Sequence, residues 1–240
     1  MSQWESYTMG TTINLAEDQA VSFSGANDIS RFASSYQINA SNHFTSTTGN
    51  LKVYGNLRLM NGNRDSTDTY GFGFMFADNT HIVDASKLIL NKWTGGSCFY
   101  YMFRDCSALT AAPILPSTAL SGNSNCVGMF QNCTSLSTVP ENMLPAPELT
   151  QWCYFGMFQG CSALTAAPIL PATTLPNQCY ENMFNGCTNL KYINVNFTTW
   201  NNTYNWVNGV GAGGTFVKPT DLPESYSSEK IPKGWTVVNK

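Results

Sequence analysis

The sequence predicts an α/β repeat protein: a solenoid of stacked coils with β-rich caps at both ends. Three observations point there. A motif recurs at a near-constant interval, its apolar residues fall on one face of a short periodic element, and an apolar, proline-bounded stretch follows two of the copies at the same offset.

The motif occurs four times, from Cys98 to Leu109, Asn125 to Leu136, Cys153 to Leu164 and Cys179 to Leu190. A degenerate fifth copy precedes them, with Met75-Phe76, Asn79 in the second cysteine slot and Ile82 in the leucine slot. The Met-Phe pairs begin at 75, 102, 129, 157 and 183, in steps of 27, 27, 28 and 26 residues. A fixed period of this length with an LxxLxL-like stretch per copy marks stacked coils. Counting Cys98 as zero, apolar residues fall at 0, 1, 4, 5 and 8: Cys98, Phe99, Met102, Phe103 and Cys106. That spacing fits one face of a short helix. The second copy departs slightly, because Cys126 sits one place late.

The repeat core is therefore expected to hold Met102, Phe103, Cys106 and Leu109, then Met129, Phe130, Cys133 and Leu136. Met157, Phe158, Cys161 and Leu164 follow, then Met183, Phe184, Cys187 and Leu190. After the leucine, Thr110 to Pro116 and its near copy Thr165 to Pro171 read as short extended strands that proline breaks. Each coil of 26–28 residues then runs strand, turn, short helix, turn. Such a coil buries its apolar face only by stacking on its neighbours. This is a leucine-rich-repeat-type solenoid.

Residues 1–65 contain no cysteine and no Met-Phe pair. Thr11 to Leu15, Ala20 to Gly25, Tyr36 to Ala40, His43 to Thr45 and Leu51 to Leu57 alternate like short strands, so this block reads as an N-terminal β cap. Residues 66–195 hold about five coils. Residues 196–240 read as a C-terminal β cap, with strands at Thr215 to Val217 and Trp235 to Val237.

Charged residues are 11% of the 240-residue chain, against about 25% in a typical soluble domain. A net charge of −3 offers no electrostatic footprint for nucleic acid or an anionic membrane. No apolar run reaches the roughly 20 residues of a membrane span, so no membrane insertion is expected. With 42% apolar and 13% aromatic residues the chain is not a disordered one. The start, Met1-Ser2-Gln3-Trp4-Glu5, lacks the basic and apolar regions of a secretory leader. Either a leader was removed or none was used.

All eight cysteines lie inside the repeats. On the helical reading, Cys98 and Cys106 stand roughly 12 Å apart, beyond the about 7 Å that a disulfide allows. The expectation is a ladder of buried thiols acting as small hydrophobes rather than disulfides. No CxxC is present, and His43 and His81 lie outside the cysteine-bearing copies, so neither a metal site nor a cofactor is expected.

Two surfaces are candidates for binding. One is the small, flat strand face, with Thr110, Pro113, Thr165 and Pro168. The other is the outward side of the periodic element, where Tyr100, Tyr101, Trp152 and Phe155 fall outside the core pattern. Such aromatics can stack on sugar rings or anchor protein interfaces; the alternative is that they are partly buried between coils. Acidic residues are too sparse for a carboxylate pair, and no GxSxG, P-loop or GxGxxG occurs, so no enzyme is expected. Trp200, Trp206 and Trp235 read as core of the C-terminal cap.

The repeated unit, best seen from Cys153 to Leu175, resembles that of the BspA-like leucine-rich repeat surface proteins of gut Bacteroidetes. So do the segments Asn205 to Val210, Gly214 to Pro219 and Ile231 to Val237. The resemblance covers most of the chain. It implies a non-enzymatic, extracellular cell-surface module for adhesion, binding a host-cell or bacterial-surface protein or glycan. It brings no catalytic residues. Related modules also look at home in phages of these bacteria, which leaves a second expectation: a virion fibre, tail or head-decoration subunit, for which a homo-oligomer is one option.

Overall fold

The computed structural model describes residues 44–57, 71–90, 95–115 and 122–240. Within them the repeated motif is not helical. From Cys98 to Cys106 the backbone N–H groups alternate between two kinds of partner. Those of Tyr100, Met102, Arg104 and Cys106 donate three residues back, to Ser97, Phe99, Tyr101 and Phe103, at 3.1–3.2 Å. Those of Phe99, Tyr101, Phe103 and Asp105 donate to Asn125, Val127, Met129 and Gln131 of the next coil, at 2.8–2.9 Å. No bond of the helical four-residue type joins these positions. The element is a chain of overlapping tight turns, each second peptide clamped to the neighbouring coil.

The backbone signature is a positive φ at every fourth residue. It falls at Ser97, Tyr101 and Asp105, then Ser124, Gly128 and Asn132, then Trp152, Gly156 and Gly160, then Gln178, Asn182 and Gly186. A positive φ at the third position is what a type II turn requires. Two residues point inward and the next two outward, so the apolar positions 0, 1, 4, 5 and 8 are reproduced without a helix.

The expected leucine-rich-repeat solenoid with one helix per coil is thereby overturned. The described repeats contain turns in place of helices, and regular strands form only two small parallel sheets. What stacks is a set of parallel, turn-built coils.

The strands failed for a reason present in the chain. β1 (Leu51–Asn56) pairs in parallel with β2 (Ile82–Ile89), with two register shifts. In later coils the stretch beginning at Thr110 makes one isolated bridge, Asp84 with Ala111, and the one beginning at Thr165 makes two, Ala166 with Tyr192 and Leu170 with Val195, on either side of Pro168. Pro113 and Pro168 have no N–H to donate, so a ladder cannot close across them. The coil that lacks the proline pair forms a true strand, β3 (Tyr192–Asn194). It opens a parallel sheet β3-β4-β5 with β4 (Thr215–Lys218) and β5 (Thr236–Asn239).

The core lies between the turns and the strand-like stretches. All sixteen residues assigned to the repeat core are fully buried. One phenylalanine per coil builds a continuous stack: Phe44, Phe76, Phe103, Phe130, Phe158 and Phe184, with ring centroids 5.1–5.8 Å apart. Each such pair adds about 0.5–1.5 kcal/mol beyond area burial.

All eight cysteines are free and buried. The thiols of Cys106, Cys133, Cys161 and Cys187 donate to the carbonyls of Phe76, Phe103, Phe130 and Phe158 in the preceding coil, at 3.0–3.1 Å. Asn79 does the same work in the degenerate coil, its amide donating to the Phe44 carbonyl at 3.1 Å. Asn125 fills the slot of Cys98 one coil on, its side-chain oxygen accepting the Cys98 N–H at 3.1 Å. That displaces Cys126 by one place.

The turn stack continues beyond the last copy of the motif. Phe184 N–H donates to the Trp206 carbonyl at 2.7 Å, and Trp206 is fully buried. The indole N–H groups of Trp200, Trp206 and Trp235 donate to the carbonyls of Pro223, Lys230 and Gly211 at 2.7–2.8 Å. All three tryptophans thus tie the C-terminal loops together. At the other end, β1 takes the strand place of a preceding coil. The expected strands at Thr11 to Leu15, Ala20 to Gly25 and Tyr36 to Ala40 lie outside the described residues, while Phe44 and Thr45 belong to no strand.

Candidate functional site

Because the coils stack in register through their backbone bonds, outward side chains line up in columns. One column runs Phe74, Tyr101, Gly128, Gly156; its neighbour runs Gly73, Tyr100, Val127, Phe155. A third carries Ser97, Ser124 and Trp152. Gly128 is decisive. A Cβ built on it would lie 1.8 Å from Cε1 of Tyr101. The Tyr101 ring occupies that space and lies across the third coil, toward Trp152 and Phe155.

The result is a cleft of about 350 Å³ spanning three coils, lined by Tyr100, Tyr101, Ser124, Val127, Trp152 and Phe155. All four outward aromatics singled out in the sequence meet there. Tyr100 and Tyr101 pack edge to face at 4.4 Å and 72°, and Trp152 and Phe155 lie 5.2 Å apart at 38°. Behind the tyrosines, Phe74 is fully buried and 5.6 Å from both rings. The Arg104 guanidinium sits 5.4 Å over Tyr101 and 5.6 Å over Phe74. Asp105 at 2.9 Å and Asp78 at 3.2 Å hold the guanidinium in place. Cation–π contacts of this kind contribute about 0.5–1 kcal/mol at exposed sites, so the tyrosine wall is braced.

The strand-face candidates do not join this site. Pro113 and Pro168 are buried and present no surface to a partner. Thr110 and Thr165 are exposed, but their hydroxyls donate to the carbonyls of Val83 at 2.9 Å and Ser137 at 3.1 Å. They staple one coil to the one before. On this face the threonines form a seam between coils.

Ser124, Val127, Gly128 and the bracing Phe74 and Arg104 went unnoticed in the sequence. Aligning the copies at their 27-residue spacing would have put Gly128 directly beneath Tyr101.

No charged side chain lines the cleft. Among the described residues no group of three or more His, Cys, Asp or Glu is placed to hold a metal. Burial pushes the thiols of Cys106, Cys153 and Cys161 up to about 12, so they stay protonated and inert at neutral pH. Among the described residues no helix is long and apolar enough to cross a membrane. Comparison with protein-family models, with curated proteins and with solved structures found no match to this chain.

Proposed function

We propose that the chain is a non-enzymatic recognition module that engages a protein or glycan at a cell or virion surface through the aromatic cleft. One observation carries this reading. Four half-buried aromatics outside the repeat core pattern, Tyr100, Tyr101, Trp152 and Phe155, converge from two coils on a single cleft. Aromatics held by a rigid scaffold are among the side chains that dominate binding energy at interfaces. The resemblance of the repeat to surface proteins of adhesion supports the same reading.

The test is binding of the labelled full chain to intact gut bacteria, with and without their capsular glycans, beside mammalian cells and matrix proteins. Saturable binding to at least one of these is expected. Trp152→Ala should weaken it by about tenfold or more, as loss of an interface anchor does. Saturable binding that Trp152→Ala and Tyr101→Ala leave unchanged would remove the cleft from the function. Binding to none of these surfaces would overturn the recognition reading.

A further inference from the structure

We propose that the ligand of the cleft is a neutral saccharide, with a pyranose ring laid against Tyr101, Trp152 and Phe155. This rests on the recognition reading above and narrows it from protein or glycan to one chemistry.

Charge argues first. No acidic or basic side chain lines the cleft, and Arg104, which flanks it, is already paired with Asp78 and Asp105. A phosphate, a sulfate, a sialylated glycan or an acidic peptide would find no free counter-charge there. The lining is nevertheless not purely apolar. Its lining residues Tyr101, Ser124 and Trp152 carry two hydroxyls and an indole N–H for which no hydrogen-bond partner is found among the described residues. An aliphatic side chain filling the cleft would strip water from these groups and leave each of them unpaired. A sugar ring answers both halves of the lining. Its C–H face packs on aromatic rings, and its equatorial hydroxyls meet donors and acceptors at the edge. The cleft volume of about 350 Å³ lies at the small end of the roughly 300–1,000 Å³ of small-ligand sites, which suits a short oligosaccharide segment.

Gly128 makes the inference specific. It sits at a left-handed φ of 55° in the outward column, and Tyr101 leans into the space above it, where any Cβ would collide with the ring. Gly128→Ala therefore moves Tyr101 without removing any ligand-contacting group.

The experiment uses the full chain on an immobilised panel of neutral hexose and N-acetylhexosamine oligosaccharides, beside sialylated and sulfated ones. Thermal melts of every variant identify any that are unfolded. At least one neutral oligosaccharide should be retained, equally at low and high salt. Trp152→Ala and Gly128→Ala should each lower retention about tenfold or more, a change of roughly 1.4 kcal/mol or above. Trp152→Phe keeps the stacking surface but loses the N–H, and should fall between Trp152→Ala and the unaltered chain. Retention only by anionic glycans, abolished by salt, would overturn the inference. So would neutral-glycan retention that Trp152→Ala leaves intact, or retention by no member of the panel. Should the panel fail while binding to intact cells stays Trp152-dependent, the saccharide is refuted and the recognition reading survives. Failure of both refutes both.

Discussion

Gly156→Ala separates a stack of turns from a helix by the sign of its effect. Inside a helix, alanine is favoured over glycine by about 1 kcal/mol, so a helix from Cys153 to Cys161 would be stabilised. Gly156 instead has φ +57°, where an L-residue with a Cβ costs about 1–2 kcal/mol. Space adds little to that. The new Cβ would meet the Gln159 Oε1 at 3.2 Å, the far end of a flexible side chain. That oxygen accepts from the Gln131 Nε2 at 2.8 Å, so one coil-to-coil hydrogen bond must readjust. Part of its roughly 0.5–1.5 kcal/mol is at risk. The expected loss is about 1–3 kcal/mol, which for a chain of this size lowers Tm by roughly 2–4 °C per kcal/mol. Gly128→Ala should cost more, because Tyr101 must also move away from a Cβ 1.8 Å from its ring. Urea unfolding followed by circular dichroism and tryptophan fluorescence reads both midpoints, with unchanged slopes confirming that stability alone has shifted. A raised midpoint for Gly156→Ala would refute the left-handed turn and restore a helix.

Three further outcomes are expected. Phe130 stacks between Phe103 and Phe158 at 5.6 and 5.8 Å, so Phe130→Ala should cost about 3–5 kcal/mol in the same urea assay; a loss under about 1 kcal/mol would show that the ring stack is not the core. The Tyr154 and Tyr180 hydroxyls are buried with no partner among the described residues, so Tyr154→Phe and Tyr180→Phe should leave stability unchanged or raise it by up to about 1 kcal/mol. A loss above about 1 kcal/mol would place a partner on them. Burial raises the thiol pKa of Cys106, Cys153 and Cys161 from 9.0 to about 12. The unfolded chain releases these protons near 9 and the folded chain only near 12. Their contribution is therefore complete below pH 9 and is lost as pH rises from 9 toward 12, by about 1.4 kcal/mol per pH unit for each thiol. Urea midpoints measured from neutral pH upward should fall steeply above pH 9, and native thiols should resist iodoacetamide at about pH 8; a flat profile or rapid native labelling would put the cysteines at the surface.

The inward face was legible because it does not depend on the element that carries it. Apolar residues at 0, 1, 4, 5 and 8 fall on one side whether the period is 3.6 or 4.0, and nine residues are too few to tell the two apart. Met157, Phe158 and Cys161 are buried under either reading. What distinguishes the periods is the outward side. Asp105, Asn132, Gly128, Gly156, Gly160, Asn182 and Gly186 recur four residues apart, and these are the residue types that tolerate left-handed backbone. The same types at that density would weaken a helix. The strands were misread for a different reason. Apolar content suggested extended pairing, but Pro113 and Pro168 remove the N–H groups that pairing needs, and the threonines before them turn their hydroxyls onto the preceding coil. Of the candidate site, the aromatic walls stood out as residues the core pattern did not require. The floor did not, because Val127 and Gly128 matter only once the columns are aligned.

A period of four also explains why a cleft exists. Successive turns of a helix shift by 0.4 residue, so outward side chains spiral away from one another. In the turn stack each position lies over its counterpart in the next coil, and where a column carries glycine a neighbouring side chain can lean across it. At Gly128 the Tyr101 ring does so, toward the coil of Trp152 and Phe155. The left-handed positions around it are filled against local preference. Phe74, Tyr101 and Trp152 have φ of 57°, 52° and 62°, while the corresponding places in later coils are held by Gly156, Gln178 and Asn182. A bulky aromatic residue there costs about 1 kcal/mol or more that glycine would not. Strain held at three neighbouring positions must be offset locally. At Phe74 and Tyr101 the contacts of Phe74 with both tyrosines and with Arg104 contribute to that offset, and at Trp152 the packing on Phe155 does. The scaffold thus spends stability to keep aromatic rings on this one face, which is what the proposed binding role asks of it.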